Sequence, residues 1–166
     1  SGGRRFVADK AEKLYRRSMY TYWKRSAPQP ALMAFDTPSR EKCVLKRQRT
    51  NTPMQALITL NDEQFVEASR VFAERILKSD RTDFKDRLDY AFELATSRPS
   101  DDLRRNVLKS TYDEQHALFT KEPERAKQLL AFGDSKPDES LDSAEHATWT
   151  LLASMILNLD ETLNRE

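Results

Sequence analysis

The ten residues from Arg40 to Arg49 carry five cations, Arg40, Lys42, Lys46, Arg47 and Arg49, against one carboxylate, Glu41. They run directly into Thr50-Asn51-Thr52-Pro53. A helix opening at Pro53 would leave unbonded N–H groups beside these guanidinium groups, and that pairing suits a phosphate, a sulfate or a carboxylate. Arg47, Arg49, Asn51 and Thr52 are therefore the anion-binding candidates. A structural reading stands beside this one: Arg47 and Arg49 pair with Asp62, Glu63 and Glu67, or with nearby carbonyls. Pro53, Gln55, Asn61 and Asp62 read as a structural motif that caps two helices.

The remaining reactive residues assemble nothing comparable. His116 and His146 each lie in a helical stretch without neighbours at ligand spacing, whereas a zinc site wants at least three ligands. No metal site is expected, and both histidines read as partly exposed helix residues. Cys43, the single cysteine, has Lys42 and Lys46 nearby to favour its thiolate, or it is simply a half-buried small residue. There is no glycine-rich phosphate loop, nucleophile elbow, H-E-x-x-H or calcium loop, so no catalytic residue is assigned. Tyr15, Tyr20, Tyr22 and Trp23, interleaved with Arg16, Arg17, Lys24 and Arg25, form either a ligand platform or a helix-packing surface.

The elements that must position these residues read as helices. Ser1-Gly2-Gly3 looks like a tag remnant, which leaves Gly133 as the one interior glycine in 166 residues and favours helix over sheet. The expectation is a single all-α domain over residues 4–166, an irregular bundle of six to seven helices. A first helix is expected from Phe6 to Arg25, with Leu14, Met19, Tyr22 and Trp23 on its core face. A long ordered irregular segment, about 26–52, follows. A short helix runs from Pro53 to Leu60, with Thr52 as cap and Gln55 completing a capping box. Asn61 opens a longer helix to Lys78, with Phe65, Ala68, Phe72 and Ile76 on its stripe. Thr82 and Ser100 open the next two, Pro123–Phe132 ends at Gly133, and Asp142 caps a last helix reaching Asn164.

Charge is segregated along the chain. Residues 1–50 hold 13 Lys/Arg against 4 Asp/Glu, giving +9, and the rest hold 15 against 23, giving −8. The basic third docks either on the acidic remainder or on an external anionic partner. A net charge of +1 and the absence of any reader motif disfavour nucleic acid. No apolar run approaches the ~20 residues that span a bilayer.

Several blocks resemble a known family. They are Arg16-Arg17-Ser18-Met19-Tyr20-Thr21-Tyr22-Trp23-Lys24-Arg25, Phe35-Asp36-Thr37-Pro38, and above all Arg47-Gln48-Arg49-Thr50-Asn51-Thr52-Pro53-Met54-Gln55-Ala56-Leu57. Ala95-Thr96-Ser97-Arg98-Pro99-Ser100 and Leu157-Asn158-Leu159-Asp160-Glu161 extend the likeness over nearly the whole chain. The chain resembles the C-terminal part of domain of unknown function 1553, found at the end of planctomycete secreted proteins that also carry cytochrome c-like domains. The resemblance implies a piece of a larger exported protein, periplasmic or secreted. Its partners would be the parent's other domains or another protein. Haem would belong to an upstream domain, since no C-x-x-C-H occurs here and no cofactor is expected in this chain. No established activity comes with it. An interaction or scaffold module, a hydrolase of anionic polysaccharide completed by missing residues, and a nucleic-acid binder using the basic third all stay open.

Overall fold

The computed structural model describes residues 9–10, 13, 15–24, 27–46 and 50–163. The described residues are all-helical, with eight α-helical segments and no strand. They are α1 (Pro30–Ala34), α2 (Pro53–Asn61), α3 (Glu63–Leu77), α4 (Phe84–Thr96), α5 (Asp102–Lys121), α6 (Pro123–Leu130), α7 (Ser143–Leu157) and α8 (Asp160–Leu163). The chain divides into two units, residues 1–58 and 59–166.

In the first unit the expected helix from Phe6 to Arg25 is not formed over the described residues. Ser18–Tyr20 makes one 3₁₀ turn, and the backbone is extended again by Thr21. The physical reason is local. Tyr20-Thr21-Tyr22-Trp23 is a run of weak helix formers, and Tyr15, Met19, Tyr20 and Tyr22 all end exposed, so no buried stripe compensates. The irregular segment that follows contains the five-residue α1, opened by Pro30 in its first turn.

The second unit is built around α7. Eight of its fifteen residues are buried, from His146 to Thr150 without a gap and then Leu152, Ala153 and Ile156. A helix buried on nearly every side must be central. α3, α4, α5, α6 and α8 all pack against it. Trp149 fills the middle, its ring 5.6 Å from Phe84 and 5.9 Å from Tyr112. Ile76, Leu88, Phe92 and Leu152 complete this core, and Phe119, Ala126 and Leu130 form a smaller one beneath α6.

Aspartates start the four long helices. The side chains of Asp62, Asp83, Asp101 and Asp142 accept from the N–H groups of Gln64, Lys85, Arg104 and Glu145 at 2.7–3.1 Å. Three caps therefore fall one residue after the expected Asn61, Thr82 and Ser100. Asn61 is instead the last residue of α2, and Ser100 is buried, giving its N–H (3.2 Å) and hydroxyl (2.5 Å) to Asp89. The last helix also stops earlier than expected, at Leu157. There the Asn158 side chain accepts from the Thr59 hydroxyl at 2.5 Å, and α8 begins two residues later.

Candidate functional site

Of the anion-binding candidates, Arg47 and Arg49 lie outside the described residues. Asn51 is exposed, and Thr52 belongs to the capping box that its spacing predicts. Thr52 N–H donates to Gln55 Oε1 at 3.0 Å, and Gln55 N–H donates to the Thr52 hydroxyl at 3.4 Å. The remaining end of Gln55 reaches further. Its amide nitrogen donates to the Ala34 carbonyl at 2.9 Å, the Thr50 hydroxyl at 3.2 Å and Asp36 Oδ2 at 3.4 Å. Asp36, held at φ +56°, also accepts from Thr50 N–H at 2.8 Å and from its hydroxyl at 2.6 Å. One glutamine thus ties the end of α1, the approach to α2 and the first turn of α2 into a knot. Among the described residues of this unit Gln55 is the buried one. Arg40 covers the Trp23 ring at 5.3 Å, and Cys43 is exposed.

The second unit hides a polar cluster that periodicity does not announce. α3 turns Glu67, Arg70, Ala73, Ile76 and Leu77 inward, while the expected Phe65, Ala68 and Phe72 are half-buried. Arg70 has no solvent exposure. Its guanidinium donates to Glu74 Oε1 at 2.7 Å, the Ser135 carbonyl at 2.9 Å and the Ser135 hydroxyl at 2.5 Å. The Glu67 carboxylate accepts from the N–H groups of Asp134 (2.9 Å) and Ser135 (3.1 Å) and from the Ser135 hydroxyl. Gly133 makes this possible. It sits at φ +107°, and a Cβ there would lie 2.6 Å from Glu67 Oε2, so a side chain is excluded by both backbone and space. Successive N–H groups after such a turn form a nest that binds anions, and here the anion is the chain's own Glu67.

The cluster continues along the connector. Glu74 Oε1 accepts from Asp138 N–H at 3.3 Å, and Lys78 pairs with the Asp138 carboxylate. That pairing, with the Ser140 contacts, holds the Asp138 carboxyl well below the usual carboxylate range, and the Lys78 ammonium is raised by the same bond. His146, 1% exposed, is buried rather than partly exposed as expected. Its Nε2 lies 3.4 Å from the Arg70 carbonyl and 3.7 Å from Glu74, and its Nδ1 has no hydrogen-bond partner. Burial pushes the imidazole pKa down and outweighs the opposing pull of the Arg70 carbonyl and Glu74, so it is neutral near pH 7.

This geometry clamps residues 133–138 onto α3, and the hydroxyl it holds is not paired with a histidine. The Ser135 hydroxyl is held between Glu67 and Arg70, and His146 contacts the Arg70 carbonyl and Glu74 instead. Among the described residues no group of three or more His, Cys, Asp or Glu side chains is placed to hold a metal ion. None of their helices is long and apolar enough to cross a membrane. His116 stacks on Tyr112 with centroids 5.5 Å apart and is half-buried.

No curated protein and no solved structure matches the chain. A family model does match, over residues 3–112, a span that includes the basic segment, the Gln55 knot and the α3 side of the clamp and stops inside α5. The chain belongs to that family, described as a protein of unknown function (DUF1553).

Proposed function

We propose that the chain is a non-catalytic helical interaction module of a larger exported protein, serving to dock other domains of its parent. One observation carries this reading: among its described residues the first unit buries a glutamine and leaves nine large apolar side chains exposed. Gln55, Asp36 and Thr50 are tied to one another, while Tyr15, Met19, Tyr20, Tyr22, Met33, Val44, Leu45, Met54 and Leu57 are exposed. So many exposed large apolar side chains on one stretch mark a surface meant to be covered. The buried polar groups of the second unit support the same reading, because the Glu67–Arg70–Glu74 cluster is engaged by the connector rather than by an open cleft. The planctomycete origin, the export and the association with cytochrome c-like domains are part of this proposal and rest on the sequence resemblance.

The test is sedimentation of the chain mixed with the separately produced remainder of its parent protein. A stoichiometric complex at micromolar concentration is expected. Turnover of an anionic polysaccharide by this chain, lost on Arg47→Ala or Arg49→Ala, would refute the reading, as would complete absence of a complex.

A further inference from the structure

The arginines at the heart of the second unit are spent, whereas the first unit leaves cations unused. In the second unit Arg70, Arg87, Arg104 and Arg105 each meet a carboxylate. The described residues of the first unit hold Lys10, Lys13, Arg16, Arg17, Lys24, Arg40, Lys42 and Lys46 against Asp9, Asp36 and Glu41, a net of +5. Arg16, Arg17, Lys42 and Lys46 are exposed and, among the described residues, meet no carboxylate. Asp36 is engaged by Thr50 and Gln55 instead.

Exposed apolar side chains stand between these cations. Tyr15, Met19, Tyr20 and Tyr22 flank Arg16 and Arg17, and Val44 and Leu45 lie between Lys42 and Lys46. Two contacts join the stretches. Arg40 lies over the Trp23 ring at 5.3 Å, and Gln55 on α2 donates to the Ala34 carbonyl at 2.9 Å. Met54 and Leu57, three residues apart on α2, add their exposed side chains.

An uncompensated positive field selects an anionic partner. The apolar side chains decide which class of anionic surface that is. Of the nine exposed ones, three are tyrosines and three are methionines. Tyr, Met and Arg are the residue types enriched where one protein covers another, and Tyr and Arg supply most of the anchors there. Six of the nine are aliphatic or thioether groups, which the stacked rings of a single-strand reader do not require. A lipid surface is met by an amphipathic helix, whereas Ser18–Tyr20 is one 3₁₀ turn followed by extended backbone.

We infer that the first unit docks an acidic polypeptide surface. Apolar side chains of the partner cover Tyr20, Tyr22 and Leu45, and its Asp and Glu side chains meet Arg16, Arg17, Lys42 and Lys46. This names the chemistry of the partner in the docking proposed above and rests on that reading.

The experiment titrates the whole chain with the separately produced remainder of its parent protein. Raising sodium chloride from about 50 to about 500 mM should weaken the complex about tenfold or more. The double reversal Lys42→Glu with Lys46→Glu should weaken it at least about tenfold at low salt, chiefly through slower association, with an unchanged unfolding midpoint. Lys121→Glu, an exposed reversal in the second unit, makes the same change in net charge at one site and should leave binding in place. A complex indifferent to salt and to the double reversal would overturn the acidic partner and leave the module reading standing. An effect of Lys121→Glu as large as that of the double reversal would overturn it too, since net charge rather than this surface would then be responsible. Phosphatidylglycerol vesicles and a single-stranded oligonucleotide are the other two probes; binding of either as tight as the parent's remainder, and lost on the double reversal, would assign the surface to lipid or nucleic acid instead. Self-association lost on that reversal would make the partner a second copy, against the proposal. If no complex with the parent's remainder forms at any salt, both readings fall together.

Discussion

The two units solve opposite problems. Residues 59–166 wrap five helices around α7, bury Trp149, Phe92 and their neighbours, and then admit a charged cluster into the interior. Residues 1–58, over their described part, bury Gln55, leave Trp23, Leu32, Phe35 and Ile58 half-buried, and expose nine other large apolar side chains. Hydrogen bonds contribute only about 1 kcal/mol each in net terms, and apolar burial is the dominant drive to fold. The second unit therefore holds itself by burial and the first by directional bonds at a few points. A region of the second kind is shaped by a handful of side chains, and its order is correspondingly easy to perturb.

The sharpest way to break the contrast is inside the second unit. Arg70→Ala removes a fully buried cation and leaves Glu67 and Glu74 without it. A loss of about 3–5 kcal/mol in urea unfolding is expected, with the helices of residues 59–163 melting together. Gly133→Ala should be milder, about 1–3 kcal/mol, because it strains φ and displaces the Glu67 side chain without removing a charge. A near-neutral outcome would mean that the nest and its carboxylate do not hold the connector.

His146 gives a graded effect whose sign follows from its lowered pKa. The folded state disfavours the protonated ring, so above pH 6.5, the ordinary value, the group has no effect. As pH falls through 6.5 the unfolded chain takes up the proton first, and stability declines until the folded-state pKa is reached. His146→Phe should flatten that limb of the stability curve, measured by thermal unfolding between pH 7 and pH 5; an unchanged limb would assign it elsewhere. The smallest global effect belongs to the first unit. Gln55→Ala should lower hydrogen-exchange protection around residues 34–56 about fivefold, matching a local loss of about 1 kcal/mol. The main unfolding midpoint should stay in place. A shift as large as that of Arg70→Ala would erase the distinction between the two units.

Local interactions were legible in the sequence. The Thr52–Gln55 box and the Asp142 cap follow from residue types a few positions apart, because the atoms that satisfy them are near in the chain; Gly133 was expected to close a helix reaching Phe132, but α6 stops at Leu130 and the glycine serves the Glu67 contact instead. The caps Asp62, Asp83 and Asp101 were missed by a single position because Asn61, Thr82 and Ser100 are equally able caps, and nothing local tells a cap from the residue before it. The clamp was not legible. Its bonds join residues 64–68 positions apart, and burying Glu67 and Arg70 runs against the hydropathy rule that drew attention to Phe65 and Phe72. The first helix, which does not form over its described residues, has the converse cause: an apolar spacing of helical period whose Met19 and Tyr22 stay exposed. Of the expected anion-binding residues, Thr52 takes the capping role that its spacing with Gln55 predicts, and Arg47 and Arg49 lie outside the described residues.

The position of α7 in the chain has a practical consequence. The helix that completes the interior lies at residues 143–157, about thirty positions past Tyr112, where the family match stops. A fragment trimmed to the matched stretch would keep α3 and α4 but expose Ile76, Leu88 and Phe92 to water, and Arg70 would lose the connector that receives it. The end of the family match and the boundary of the folding unit do not coincide, and expression trials cut at the former should yield insoluble chains.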